Sequence, residues 1–340
     1  MKRQYVLPGL CALSAGAILN VNSAVAAVPE IDVQHKGDKI TLTFTGTLQE
    51  SADAINWTTV DASSPYEVTI AGGIKFYRAM GEGGVMPGTW TAYCSDTVTM
   101  VLNLCSAGTF TMGSPEDELG RKDGETQHQV TLSKPFWMGK YEVTQAQYEA
   151  LTGENPSLFK GDNLPVDQVS WYDAVDFCSK LTEKEKAAGR LPAGYVYSLP
   201  TEAQWEYACR AGMTTAFNNG KNIPTEGQAE EEPCPNLDEV GWYWYNSDET
   251  THPVGLKKPN AWGLYDMHGN VDEWCLDWKG DYPDSAVTDP EGPESGLFRV
   301  KRGGSWPSYA SGCRSGNRLG FFPDLGIDYD GFRVALVPEK

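Results

Sequence analysis

The sequence contains few basic residues and few histidines for its length. Lys and Arg together number 27 of 340 residues against 46 Asp and Glu, so the formal net charge is −19 at pH 7. A chain this acidic repels nucleic acid and anionic membranes, and we expect neither as a partner. The four histidines are scattered, and no two cysteines have the Cys-x-x-Cys spacing of zinc sites. This pattern argues against a zinc or iron centre built on histidine.

Long apolar runs are also scarce. After residue 26 no stretch approaches the roughly 20 apolar residues of a membrane-spanning helix. Residues 1–26 combine an early Lys2-Arg3 pair, an apolar run and a small-residue end at Ala24-Val25-Ala26, the pattern of a secretory signal peptide. We therefore predict an exported protein (periplasmic, secreted or at the cell surface) with no membrane span and no lipid anchor. The odd number of cysteines after Cys11 leaves at least one thiol unpaired or bridged to another chain.

Residues 27–80 form the first predicted domain. Short runs such as Ile40–Phe44 alternate apolar and polar side chains, and turn residues separate the runs, which predicts β-strands. The segment resembles small β-sandwich modules of secreted bacterial proteins, which more often space or dock a partner than catalyse. Residues 81–104 begin with a glycine-rich stretch and are predicted to be a linker.

Residues 105–338 form the second predicted domain. Capping boxes predict three short helices, which begin after Thr144, Ser170 and Thr201, and glycines at 153, 189 and 212 follow as stop signals. After residue 212 turn residues dominate and aromatic residues are dense, as in Trp242-Tyr243-Trp244-Tyr245. The pattern predicts an α+β, loop-rich domain whose core is held by indole and phenol hydrogen bonds.

A series of short motifs in this domain carries a family resemblance. In chain order they are Phe110–Ser114, Lys140–Thr144, Val169–Trp171, Leu199–Tyr207, Asn260–Met267, Gly269–Trp274, Arg302–Trp306 and Gly331–Arg333. Over residues 105–338 the chain resembles the formylglycine-generating enzyme, or sulfatase-modifying factor, family. The resemblance implies that family's variant of the C-type lectin fold.

The resemblance also implies a chemistry. Members of the family oxidise a cysteine of a sulfatase peptide to formylglycine, with copper held by two cysteine thiolates three and eight positions after the serine of Gly-Gly-Ser. The corresponding residues here are Ser308 and Cys313, so the first ligand is absent. Cys313 is the catalytic candidate if the chain is an enzyme. The alternative is a structural Cys313, paired with Cys209, whose setting matches a bridged cysteine of the enzyme. We lean towards a chain without catalysis.

Two further features rest on the same resemblance. Relatives of this fold bind calcium through loop oxygens, and Asn260 with the carbonyl groups of Gly263 and Tyr265 matches one such loop. A purely structural Asn turn is the alternative. Asp272 stands where the family motif Gly-Asn-Val-Trp-Glu-Trp has its first Trp. The sequence does not indicate what this exchange does.

The segment Pro307–Asp330 has a distinctive composition, since it contains no Lys, Glu, Gln, Met or Trp. These five residues share no physical property that a surface loop would reject. They are, however, among the residues that cannot be reached when the two adenines of an AAC or AAT codon are randomised. The chain thus resembles variable proteins of diversity-generating retroelements, in which the C-terminal loop of this fold is mutated at template adenines and displayed. The alternative is a small-residue loop that lacks long side chains by chance.

In the display hypothesis, one set of residues holds the scaffold, namely Trp306, Cys313, Arg314, Arg318, Gly331, Phe332 and Arg333. A second set is diversified and binds a protein or glycan ligand, namely Pro307, Ser308, Tyr309, Ser311, Gly312, Leu319, Gly320, Phe321, Phe322, Leu325, Gly326, Ile327, Asp328, Tyr329 and Asp330. The aromatic and apolar members of the second set would be the anchors of an interface, although they could instead pack internally. We therefore predict an exported binding and display protein. A formylglycine-generating oxidase and a non-catalytic structural module are the alternatives.

Overall fold

A computed structural model describes Gly88 to Glu339 with their side chains and, before Gly88, the backbone of eight strands between Cys11 and Met80. The chain divides into two compact units, Met1–Pro87 and Gly88–Lys340. Within the described residues, no helix has the length and apolar character needed to cross a membrane.

The described strands of the first unit form two sheets. One has the order β2-β1-β8-β5-β6 and the other the order β3-β4-β7. Their ranges are β1 Cys11–Ser14, β2 Ala17–Leu19, β3 Ile31–Lys36, β4 Lys39–Phe44, β5 Thr47–Ser51, β6 Thr58–Thr59, β7 Tyr66–Thr69 and β8 Lys75–Met80. The predicted strands are therefore present, while the sandwich arrangement and the signal peptide stay predictions.

The second unit begins earlier than the sequence pattern indicates. Residues that we assigned to a linker form β9 (Thr89–Tyr93) and β10 (Thr99–Cys105), which pair with each other. Alternate side chains of β10 are buried, as its sequence Thr-Met-Val-Leu-Asn-Leu-Cys allows. The second unit thus begins at Gly88, and residues 89–104 belong to it rather than to the predicted linker.

The strands of the second unit are short and form four sheets. Their orders are β14-β22-β13-β10-β9, β11-β12-β18, β15-β16 and β20-β19-β17-β21. The remaining ranges are β11 Gly108–Met112, β12 His128–Leu132, β13 Phe136–Gly139, β14 Tyr195–Ser198, β15 Gly241–Trp242, β16 His268–Gly269, β17 Asp272–Trp278, β18 Val287–Thr288, β19 Arg299–Arg302, β20 Leu319–Phe321, β21 Asp330–Gly331 and β22 Ala335–Pro338.

The helices begin where the capping boxes predict. At Thr144, Ser170 and Thr201 the side chain accepts a hydrogen bond from the backbone N–H three residues on, and that residue's side chain reaches back. The helices are α1 Gln145–Thr152, α2 Trp171–Ala187, α3 Glu202–Arg210, α4 Gly227–Glu230 and α5 Pro235–Asp238, and a 3₁₀ turn spans Ala310–Cys313. The predicted α+β, loop-rich character is confirmed.

Large aromatic side chains form much of the core, and the indole N–H groups of three buried tryptophans have acceptors. The indole N–H of Trp171 donates to the carbonyl of Cys275, and that of Trp274 donates to the carbonyl of Val169. The indole N–H of Trp205 donates to a carboxylate oxygen of Glu273. Because a buried N–H without an acceptor is costly, these bonds fix how the aromatic groups are placed.

Candidate functional site

The segment singled out by its composition begins and ends in one sheet. Strand β19 pairs antiparallel with β17, so that Lys301 lies opposite Trp274, and β21 pairs parallel with β17 on its other side, so that Asp330 lies opposite Asp272. Strand β20 pairs with the outer edge of β19. The residues between β19 and β21 therefore leave and return to a fixed four-stranded platform.

Buried arginines anchor this segment on the side that faces the protein interior. Arg314 donates to both carboxylate oxygens of Glu125 and to Glu118, and Arg318 forms two hydrogen bonds with Glu202. Arg302 pairs with Glu206 and donates to backbone carbonyls of residues 315–317. Bidentate Arg–carboxylate pairs fix the relative orientation of the two side chains and also pair their charges. The predicted scaffold arginines are thus buried anchors.

His268 adds a further support below the segment. Its Nδ1 lies 2.7 Å from the carbonyl oxygen of Cys313, and its Nε2 lies 3.0 Å from the backbone nitrogen of Asn218. A neutral imidazole with a proton on Nδ1 satisfies both contacts. Burial lowers the pKa of His268 to about 4, so the ring is neutral at pH 7.

The predicted diversified positions lie mainly at the surface. Tyr309, Phe322 and Leu325 have exposed fractions of 41%, 42% and 46%. Gly326 is also exposed, and the half-buried members are Pro307, Ser308, Gly312, Leu319, Gly320, Phe321, Ile327, Asp328 and Tyr329. The exposed and half-buried positions fall into two groups, residues 307–312 and 319–329, separated by the buried residues 313–318. Their role in binding stays a prediction.

Two predicted positions do not belong to this surface. Ser311 is buried in the 3₁₀ turn, where its hydroxyl lies 3.3 Å from a carboxylate oxygen of Glu230. Asp330 is buried in β21 and pairs with Lys301. Both side chains point into the protein because the turn and the strand that carry them pack against the scaffold. The structure therefore corrects the assignment of these two residues to a ligand-binding surface.

Exposed aromatic residues form two patches on the segment and its neighbours. In the first, which we call the Tyr309 patch, the ring of Tyr309 lies 6.0 Å from that of Trp244 and 6.3 Å from that of Tyr245. In the second, the Phe322 patch, the ring of Phe322 lies 4.8 Å from that of Phe298. Both patches combine residues of the segment with residues outside it.

The residues outside the segment were missed by the sequence analysis, which assigned the stretch from Trp242 to Tyr245 to the core. Tyr243 is buried there, but Trp244 and Tyr245 are exposed. The backbone N–H of Trp244 donates to the carbonyl of Ser308, which couples the stretch to the segment. No local signal marks this pairing, because the two residues are 64 positions apart in the sequence.

The predicted calcium loop does not fit a cation. The side-chain oxygen of Asn260 accepts hydrogen bonds from the backbone N–H groups of Trp262 and Leu264. The carbonyl of Gly263 accepts from Asn103, and that of Tyr265 accepts from the guanidinium of Arg333. Both lone pairs of the Asn260 oxygen are thus used, and a guanidinium, itself a cation, lies at the carbonyl of Tyr265 where calcium would have to bind. The geometry fits the alternative, a structural Asn turn.

The copper site implied for the oxidase does not fit either. Ser308, at the first ligand position, directs its hydroxyl to Ser305. Cys313 is buried in an apolar cluster, and burial raises the pKa of its thiol well above its usual range, which disfavours the thiolate that a soft metal ion requires. The predicted Cys209–Cys313 bridge is absent as well, since both cysteines are free thiols. The sulfur of Cys209 instead lies 3.5 Å from the hydroxyl of Ser315.

A model of a known protein family matches the second of the two units of the chain. The family model described as the sulfatase-modifying factor enzyme 1-like domain matches residues 94–337. The chain is 34% identical over 255 residues to the chaperone protein LppX of Paenibacillus barcinonensis, a match that covers 61% of this chain and 83% of that protein. It is 35% identical over 219 residues to the formylglycine-generating enzyme of Mus musculus, covering 61% of this chain and 53% of the enzyme. The match thus spans about half the length of the mouse enzyme.

Known structures match a longer part of the chain. Treponema denticola variable protein 1 is similar with a TM-score of 0.64 and 32% identity, covering 74% of this chain and 100% of that one. PvdO from Pseudomonas aeruginosa is similar with a TM-score of 0.60 and 30% identity, covering 74% of this chain and 99% of that one.

Proposed function

Because the chain belongs to the family of sulfatase-modifying factor enzyme 1-like domains, we propose that it uses this scaffold to display residues 307–329 as a ligand-binding surface and does not catalyse. The observation that carries the proposal is the division of the segment. Its arginines and Cys313 are buried, while Tyr309, Phe322 and Leu325 between or beside them are exposed. A scaffold whose buried residues stay constant while its exposed residues vary can change its ligand without changing its fold.

The surface chemistry supports a protein or glycan ligand. Tyrosine, tryptophan and phenylalanine offer large contact areas with few rotatable bonds, and such residues dominate binding energy at interfaces. The Tyr309 and Phe322 patches supply these residues on exposed loops. Together with the acidic net charge of −19, they favour a partner that is neutral or basic where it contacts the patches.

The binding proposal is tested by the double variant Tyr309→Ser with Phe322→Ser. Purified wild-type chain is applied to a glycan array and to a library of displayed bacterial surface proteins. We expect at least one ligand whose affinity falls more than about tenfold in the double variant, because truncating interface aromatics commonly costs that much. The matched control is Tyr172→Ser, which removes an exposed aromatic residue from α2. Equal losses in control and double variant would contradict the proposal.

A peptide assay and the binding screen together separate the alternatives. An oxidase would convert a cysteine-containing sulfatase peptide to an aldehyde when supplied with copper and oxygen, and the peptide's mass would change. A structural module would bind no ligand through the patches. The melting temperature of the double variant is measured alongside, and we expect it to stay close to that of the wild type, since exposed side chains contribute little to stability.

We further propose that the displayed positions are diversified at template adenines. The absence of Lys, Glu, Gln, Met and Trp from Pro307–Asp330 supports this origin, as does the similarity to a protein named as a variable protein. The signal peptide predicted at residues 1–26 would export the display surface.

Deep sequencing of the gene's 3′ end across many isolates tests the diversification. We expect substitutions at the codons of Tyr309, Phe322 and Leu325 to be drawn from the adenine-reachable set, whereas the codons of Arg314 and Arg333 stay constant because their side chains are buried anchors. Substitutions spread evenly over exposed and buried codons would contradict this proposal while leaving the binding proposal standing.

A further inference from the structure

Three ionisable side chains meet inside the platform sheet, beneath the displayed segment. The amino group of Lys301, in β19, contacts a carboxylate oxygen of Asp330, in β21, and lies 3.5 Å from a carboxylate oxygen of Asp272, the first residue of β17. All three side chains are at most 3% exposed. Lys301 therefore reaches across the central strand and joins the two strands on either side of it.

Aromatic rings surround the amino group. Its nitrogen lies 4.6 Å from the ring centre of Phe321, 5.4 Å from that of Tyr329 and 5.5 Å from that of Trp274. These three rings exclude water from the amine and from the carboxylate beside it. The Lys301 amine and the Asp330 carboxyl are thus held together in a dry site, the condition under which a reaction between two groups gains most from proximity.

The charges in the cluster do not balance as a simple ion pair. One ammonium group faces two carboxyl groups, and among the described residues the second oxygen of each carboxyl, Oδ1 of Asp272 and Oδ2 of Asp330, is buried without a hydrogen-bond partner. Burial raises the pKa of Asp330 to about 7 and raises the pKa of Asp272 as well. Burial alone would lower the pKa of Lys301, but the two carboxylates outweigh it and raise that pKa. A neutral carboxyl group beside Lys301 is therefore accessible near pH 7, whereas the amino group keeps its proton until a carboxylate takes it.

We propose that Lys301 and Asp330 join to form an intramolecular amide bond, with Asp272 as the proton carrier. The ammonium group of Lys301 first passes a proton to Asp272. Asp272 hands this proton to the Asp330 carboxylate, so that a neutral amine faces a neutral carboxyl group. Nζ then attacks Cγ of Asp330, which forms the C–N bond, and the ionised Asp272 takes a proton from the attacking nitrogen. Asp272 returns this proton to the hydroxyl group on Cγ, which leaves as water when the C–O bond breaks. The ammonium and carboxylate of the pair are converted to one amide and one water, so charge is conserved and no oxidant is required.

The bond would close residues 301–330 into a covalent ring. This ring contains the whole displayed segment, and its closure lies in the platform sheet rather than in the exposed loops. The consequence is mechanical, because sequence changes in the loops could not separate β19 from β21, which flank β17 and carry the two ends of the segment. The bond depends on the buried cluster and on the rings that surround it, including Phe321 and Tyr329 of the displayed segment, and it stands or falls independently of ligand binding.

Tryptic peptide mapping tests the bond directly. The folded wild-type chain is incubated overnight at neutral pH, then denatured, reduced, alkylated and digested. An amidated Lys301 resists trypsin, so we expect residues 300–302 to be recovered joined to residues 319–333, with a mass one water below the sum of the two peptides. Recovery of residues 319–333 only as a free peptide, with full cleavage after Lys301, would overturn the proposal.

Two variants locate the chemistry. Lys301→Arg keeps the positive charge but removes the nucleophilic amine, and it should release residues 319–333 entirely as a free peptide. Asp272→Asn keeps a hydrogen-bonding group beside Ser305 but cannot carry the proton, and we expect at least a tenfold smaller linked fraction after the same incubation. Circular dichroism establishes that each variant is folded. A linked fraction in folded Asp272→Asn equal to that of the wild type would refute the role of Asp272.

Discussion

Glu273→Ala is expected to lower the free energy of unfolding by about 3–5 kcal/mol, the range found when one partner of a buried ion pair is removed. Glu273 accepts two hydrogen bonds from the guanidinium of Arg333, each 2.6 Å long, and a third from the indole N–H of Trp205. All three side chains are fully buried. The substitution leaves a buried guanidinium without its main countercharge and an indole N–H without its acceptor.

Guanidinium denaturation followed by tryptophan fluorescence measures this loss. Glu149→Ala is the matched control, because it makes the same substitution at an exposed position of helix α1, where we expect a change within about 0.5 kcal/mol. If Glu273→Ala were no more destabilising than Glu149→Ala, the ion pair with Arg333 would not be a support of the fold.

Gly269→Ala is expected to destabilise the chain by about 3 kcal/mol or more, because backbone strain and a steric clash add together. Gly269 has a φ of +84°, and a methyl group added there would lie 1.9 Å from the carbonyl oxygen of Trp242. That carbonyl cannot move freely, since it accepts a hydrogen bond from the backbone N–H of Asn270. Gly269 also donates to the carbonyl of Gly303, four residues before the displayed segment.

Gly153→Ala separates the two causes of this loss. Gly153 has the same φ of +84° at the end of α1, but a methyl group there would meet no atom of the described residues within 4 Å. We expect it to lose only about 1–2 kcal/mol, the backbone part of the cost. Thermal and denaturant unfolding of both variants give the comparison. Equal losses would mean that the clash with Trp242 is relieved by movement of the chain.

Local features of the fold were predictable from the sequence. The helix starts at Thr144, Ser170 and Thr201 depend on contacts between residues three positions apart, which a sequence pattern records directly. The extent of the second domain was less predictable. Strand β10 was missed because the glycine-rich stretch before it suggested a linker, and its pairing partner β13 lies about 30 residues further on.

The candidate site was predictable as a segment but not residue by residue. Composition singled out Pro307–Asp330, and the structure exposes much of it. Ser311 and Asp330 share that composition yet are buried, because what they face is set by the packing of a 3₁₀ turn and a strand. Conversely, Trp244 belongs to the Tyr309 patch although it lies far from the segment in sequence.

The environment of Asp272 was also not predictable from the sequence. The sequence shows an Asp where the family motif has a Trp, and nothing nearby explains it. In the structure its carboxylate lies beside Lys301, 29 residues away, and Asp272 stands opposite Asp330, 58 residues away, on the neighbouring strand. A buried carboxylate needs a countercharge or hydrogen-bond donors, and for Asp272 the countercharge comes from a different strand.

The sequence by itself determined the family, the order of the motifs, the helix starts and the segment with the unusual composition, because each depends on residue identity or on neighbours within a few positions. The tertiary structure alone decided which side chains of that segment face outwards, which cysteines stay unpaired and which charges meet. These properties depend on contacts between strands distant in sequence. Burial and pairing are set where such strands meet, so Lys301, Asp272 and Asp330 become one site only in the folded sheet.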